Sequence, residues 1–127
     1  MDDLKTFNAD KFMKHVLNKK ELAAEIMRIF FGDINSLMAE LIKSAEINDF
    51  ISLRKNAHRL KGSSLNVSAE KLSLLFLKLE NIGKSDTVEG AHEVIKDIFA
   101  ELENFKYHIS NSNIFDNSKF IDYDSGV

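Results

Sequence analysis

The stretch Leu53-Arg54-Lys55-Asn56-Ala57-His58-Arg59-Leu60-Lys61-Gly62-Ser63-Ser64 decides the fold class. Leu53, Ala57, Leu60 and Ser64 step by four, three and four, the period of one buried helical face, and Asn48-Asp49 just upstream offers an N-cap. This predicts a helix over about residues 49–65. Upstream, Leu22, Ile26, Ile29, Phe30, Leu37, Leu41 and Ile42 keep the same spacing and predict one long helix from Lys20 to about Ala45, interrupted only by Gly32 and Asp33. Downstream, Leu72, Leu75, Phe76, Leu79 and Ile82 predict a helix capped by Ser68 and stopped at Gly83. Asp86 to Glu89 has capping-box spacing and opens a last helix, running to about His108, with Ile95, Ile98, Phe99, Leu102 and Phe105 inward. A short helix from Asn8 to about Lys19, carrying Phe12, Val16 and Leu17, precedes them all. The expected architecture is all-α: an antiparallel up-down four-helix bundle with an additional short N-terminal helix over residues 1–108. Residues 109–127 are polar and without period, and read as a C-terminal tail that contributes little to the fold.

Composition agrees and removes several function classes. A chain of 127 residues makes one ordinary domain, and at this size folding buries roughly two-thirds of the unfolded surface. Proline is absent, so long helices go unbroken. With 17 basic and 20 acidic side chains the formal net charge is −3, which argues against nucleic acid as a general partner. Cysteine is absent too, which removes disulfides, thiolate metal sites and thiol nucleophiles. The start, Met1-Asp2-Asp3-Leu4-Lys5, has no basic and apolar leader pattern, and the longest apolar run is Leu74 to Leu77. A cytoplasmic monomer without membrane association is the expectation.

Gly62 breaks the local rule, since a glycine inside a helix costs about 1 kcal/mol relative to alanine. Its neighbourhood supplies a reason. His58 lies about 120° around the helix from the core face, at the border of the bundle, and Arg54, Lys61, Gly62 and Leu65 share its strip. A residue without a side chain, one turn away, leaves the imidazole sterically open. An antiparallel hairpin with its midpoint near Ala69 places Glu80 opposite His58 and Leu77 beside Lys61. A carboxylate accepting Nδ1–H would fix the tautomer and leave Nε2 free to attack, while Lys61 could offset charge on a transferred oxyanion.

The run Ala57 to Ser64, with Glu25-Ile26-Met27-Arg28-Ile29-Phe30 before it and Leu79-Glu80 after it, closely resembles the histidine-containing phosphotransfer (HPt) domain over residues 8 to 108. The signature His-x-Leu-Lys-Gly-Ser is specific. The resemblance implies that His58 accepts the phosphoryl group, Lys61 is the cation on the phosphate side, Gly62 provides clearance, and Glu80 holds the imidazole. It further implies a phosphocarrier rather than an enzyme, relaying between receiver-domain aspartates of response regulators and hybrid histidine kinases. No cofactor belongs to the chain itself, and Mg²⁺ is expected on the receiver. Where the family often has glycine, ten residues past the histidine, this chain has Ser68.

Residues 50–69 carry Arg54, Lys55, Arg59 and Lys61 and no acid, a positive rim suited to a receiver's acidic pocket. Ile51 and Leu65 flank His58, and Leu77 stands outside the inward stripe of its helix; these three with Arg54 are the expected docking contacts. A di-metal bundle needs two Glu-x-x-His pairs, and Glu89 with His92 is a single one. The competing reading is a helical adaptor that binds a partner through the same surface and never carries phosphate.

Overall fold

The computed structural model describes residues 3–115, five helices in chain order with no strand among them: α1 (Ala9–His15), α2 (Lys20–Glu46), α3 (Phe50–Asn66), α4 (Glu70–Lys84) and α5 (Ala91–Ser110). Helices α2 to α5 form the bundle, with α3 against α2 and α4, and α5 against α4 and, more loosely, α2. Among the described residues no helix is long and apolar enough to cross a membrane.

The face of α3 is the one its spacing dictates: Leu53, Ala57, Leu60 and Ser64 are all buried, and the Asp49 carboxylate caps the helix by accepting from Ser52 N at 3.1 Å. That hydrogen bond holds the Asp49 carboxyl below the usual carboxylate range. In α2 the buried stripe is Ala23, Met27, Phe30, Phe31, Ile34, Met38 and Leu41, while Leu22 and Ile29 are exposed. The core face is thus turned from the one that counting large apolar residues suggests. Small Ala23 and flexible Met27 and Met38 stand on the buried side in place of larger aliphatic residues. Ile95, Ile98, Leu102 and Phe105 of α5 face inward as expected, but Phe99 is 42% exposed. An aromatic cluster closes one end of the bundle, where Phe105 packs on Phe30 at 5.2 Å and on Phe7 at 5.7 Å between ring centroids.

Four boundaries differ from the sequence expectation. Helix α1 ends at His15, because Leu17 and Asn18 turn left-handed with φ of 56° and 57°. Ser68 is also left-handed (φ 55°), a conformation an N-cap does not adopt, so Ala69 stands at the start of α4. The caps of α4 come instead from the N-terminal segment. Lys71 N donates to Lys5 O at 3.1 Å, and Glu70 accepts from Lys5 N and from the Asn8 amide. Asp86 has φ 58° and lies in a turn, so α5 opens four residues later than the capping-box spacing implied, after Gly90 at φ 86°. Gly83 does not stop α4, which runs to Lys84; its missing side chain serves the crossing with α3. A Cβ at Gly83 would stand 2.8 Å from Arg54 Cβ and 2.9 Å from Phe50 O.

At the C-terminus α5 continues to Ser110, past the boundary expected near His108, and Ile109 and Phe115 are buried. Phe115 sits 6.3 Å from Phe7 and 6.0 Å from Phe12 between ring centroids. The first residues read as tail therefore belong to the core. Phe120 and Tyr123, the other aromatics of that stretch, lie outside the described residues.

Candidate functional site

His58 stands midway along α3 at the border of the bundle, its side chain 67% exposed. Glu80 reaches it from α4, with Oε2 at 2.8 Å from Nδ1, inside the 2.6–3.2 Å range of a good hydrogen bond. Unlike the ring it holds, the Glu80 side chain is 5% exposed. Burial pushes its carboxyl up, but hydrogen bonds from Lys61 and His58, with the charge on Lys61, outweigh this and leave it below the usual carboxylate range. Glu80 is therefore ionised at neutral pH and can only accept. It follows that Nδ1 carries the proton and, in the neutral ring, Nε2 keeps its lone pair on the exposed side.

Lys61, one turn along α3, donates to Glu80 Oε1 at 2.8 Å and is half-buried. The sequence expectation left its ammonium open toward an incoming phosphoryl group; here it rests on the carboxylate. Lys84, one turn beyond Glu80 on α4, adds a second cation at 3.6 Å from Oε2. Sequence reasoning passed over Lys84, although its i,i+4 spacing from Glu80 was a readable signal. Beside the ring, a Cβ on Gly62 would meet nothing within 4 Å, so that flank is open.

Asp33 is the other residue the sequence reading passed over. From α2 it accepts Ser63 Oγ at 2.8 Å and Arg59 at 3.4 Å, tying α2 to the turn of α3 that follows His58. Its signal was a lone acid inside an apolar stripe. Two of the four cations of the α3 rim, Arg59 and Lys61, are thus matched by acids from neighbouring helices. Of the expected docking residues, Ile51 and Leu65 are 50% and 54% exposed, one on each side of His58 along α3. Arg54 is half-buried, its stem against Gly83, and Leu77 is half-buried one turn before Glu80.

An exposed imidazole with an ionised carboxylate on one nitrogen, an open flank on a four-helix bundle and a lysine one turn away make a nucleophile oriented by its neighbours. The model of the Hpt domain family matches residues 25–106, a span that includes His58, Lys61, Gly62 and Glu80. The chain belongs to the Hpt domain family. In fold it is similar to the crystal structure of the HPT domain from the Hpt sensor hybrid histidine kinase from Shewanella, with a TM-score of 0.70 and 22% identity. That match covers 87% of this chain and 99% of the other. No curated protein matches the chain. As an Hpt domain it has a histidine phosphotransfer role in phosphorelay, as a phosphocarrier rather than an enzyme.

Proposed function

We propose that this Hpt domain relays a phosphoryl group between the aspartates of two receiver domains, and that His58 carries it. The observation that supports this most directly is the 2.8 Å contact of Glu80 with Nδ1, which leaves Nε2 of a largely exposed ring as the nucleophile. In transfer from a receiver, Nε2 attacks the phosphorus of the acyl phosphate in line. The N–P bond forms as the bond from phosphorus to the aspartate oxygen breaks, and aspartate leaves as its carboxylate. Attack turns the neutral ring into a phosphorylated imidazolium that retains its Nδ1 proton, and the buried Glu80 carboxylate stabilises that positive charge. The reverse step delivers the group to a second receiver.

Lys61 has a second task in this scheme. Its ammonium lies one turn from the ring and offsets charge on the phosphoryl oxygens once the group is in place. Gly62 leaves room for the receiver's aspartate loop. Ile51, Leu65 and Leu77 supply apolar docking contacts, and Arg54 contributes to a positive rim facing an acidic receiver pocket. Divalent metal, Mg²⁺, belongs to the receiver, and the chain acts as a cytoplasmic monomer without a cofactor of its own.

The test is transfer from a phosphorylated receiver. The wild type takes up acid-labile, alkali-stable label and His58→Gln takes up none. Label that persists in the variant overturns the assignment, and no label on the wild type with any receiver of its source favours the adaptor reading.

A further inference from the structure

Three side chains face the Glu80 carboxylate, and they are not equivalent. Lys61 donates to Oε1 at 2.8 Å and His58 Nδ1 stands 2.8 Å from Oε2. Lys84 Nζ is 3.6 Å from that same Oε2, close enough for an ion pair and too far for a hydrogen bond. Exposure separates the two lysines further: the Lys61 side chain is 24% exposed and that of Lys84 is 54% exposed. In the resting site Lys61 and His58 hold the Glu80 carboxyl low, without Lys84. Lys84 is the last residue of α4 and pairs with no other acid among the described residues. Its ammonium is therefore within reach of a carboxylate that already has its partners.

Phosphorylation changes that balance. The phosphoryl group is bonded to Nε2, on the opposite edge of the ring from the nitrogen that Glu80 holds, so an ammonium seated on Glu80 must leave it to meet the phosphoryl oxygens. Glu80, 5% exposed, then loses a hydrogen bond and a charge that water cannot replace. Charge on the whole cluster points the same way. With a neutral ring, the two lysines exceed Glu80 by one positive charge. The group brings about two negative charges and turns the ring into a cation, so the cluster becomes neutral only when both lysines belong to it.

We propose that Lys84 is a positioning residue for phosphotransfer: it closes onto the Glu80 carboxylate as Lys61 leaves for the phosphoryl group, and so frees Lys61 to act there. The inference rests on His58 as the phosphoryl carrier. Lys84 touches neither the phosphoryl group nor the ring, and works through Glu80 and Lys61.

The full chain is labelled with phosphoramidate, and the Nζ shifts of Lys61 and Lys84 are read by NMR through their Hε protons. Both signals are expected to move on labelling, and neither in His58→Gln. With a receiver, Lys84→Gln is expected to lower the share of phosphoryl group held by the chain at equilibrium by about threefold, as a half-exposed ion pair contributes. Lys84→Arg restores it, and the melting temperature of unphosphorylated Lys84→Gln stays at the wild-type value. In a Lys61→Gln background the same Lys84→Gln change has almost no further effect on the phosphoryl share, because the lysine it frees is gone. An unmoved Lys84 signal, an equal effect of Lys84→Gln in both backgrounds, or a loss of melting temperature in the unphosphorylated variant overturns the proposal while His58 still takes label. Failure of phosphoramidate to label His58 overturns the carrier reading, and this inference with it.

Discussion

Glu80 Oε2 stands 2.8 Å from His58 Nδ1 across the α3/α4 seam, and the same carboxylate takes Lys61 on its other oxygen at 2.8 Å. One buried acid therefore sets the tautomer of the nucleophile and the resting place of the nearest cation. Replacing it with glutamine keeps the shape and loses the charge. In Glu80→Gln the Nδ1–H preference weakens, so ¹⁵N spectra of the ring should show a mixed tautomer population in place of one dominated by Nδ1–H. Transfer from a receiver should slow by about tenfold, less than the loss of a general acid or base itself costs, because the glutamine oxygen can still accept from Nδ1–H. An unchanged rate would remove the orienting role.

The same carboxylate gives the fold a defined acid limb. Its pKa is lower folded than unfolded, so its contribution to stability is fully present above the ordinary carboxylate value of about 4.5 and is lost as pH falls through the lower folded value. Thermal denaturation of the wild type between pH 7 and pH 3 should show this loss. Glu80→Gln should be less stable at pH 7 by about 1 kcal/mol and should converge with wild type toward pH 3. Parallel curves at all pH values would show that the ion pair contributes nothing.

Gly62 and Gly83 both sit inside helices, and the structure separates their reasons. A Cβ at Gly62 meets nothing within 4 Å, so Gly62→Ala should raise stability by up to about 1 kcal/mol. Gly62→Gln should fold normally yet slow transfer from a receiver, while phosphoramidate, a small donor, still labels His58. Wild-type transfer by the glutamine variant would refute the clearance argument.

At Gly83 the added methyl would collide with the α3 backbone at Phe50 and Arg54, which cannot yield as a side-chain tip can. Gly83→Ala should therefore destabilise by about 1–3 kcal/mol, measured by chemical denaturation. A neutral result would mean that α3 and α4 separate more easily than their packing suggests.

Ser68 holds φ at 55° in the turn between α3 and α4, where its carbonyl accepts from Asn8 N at 3.0 Å. Left-handed backbone costs a side-chain-bearing residue about 1–2 kcal/mol, a cost glycine does not carry. Ser68→Gly should raise the melting temperature by a few degrees, offset in part by the extra freedom of glycine in the unfolded chain. A fall in melting temperature would show that the serine side chain contributes more than its strain.

Periodicity alone determined that the chain is helical, where α3 lies, and that His58 falls on the border of its buried face. Those properties depend on residues three and four apart, which any helix brings together whatever surrounds it. The facing of His58 and Glu80 was also legible, because a short turn between two antiparallel helices fixes which positions meet. What required the tertiary structure were the features set by distant partners. The start of α4 is held by residues more than sixty positions away, with the Lys5 carbonyl accepting from Lys71 N and the Asn8 amide donating to the Glu70 carboxylate, so a search for a local cap settled on Ser68 instead. The place of Gly83 against Arg54, the hold of Asp33 on Ser63, and the burial of Phe115 on Phe7 and Phe12 likewise arise where elements far apart in the chain approach within a few ångströms. Local spacing carries no record of such approaches; they follow from how the helices pack.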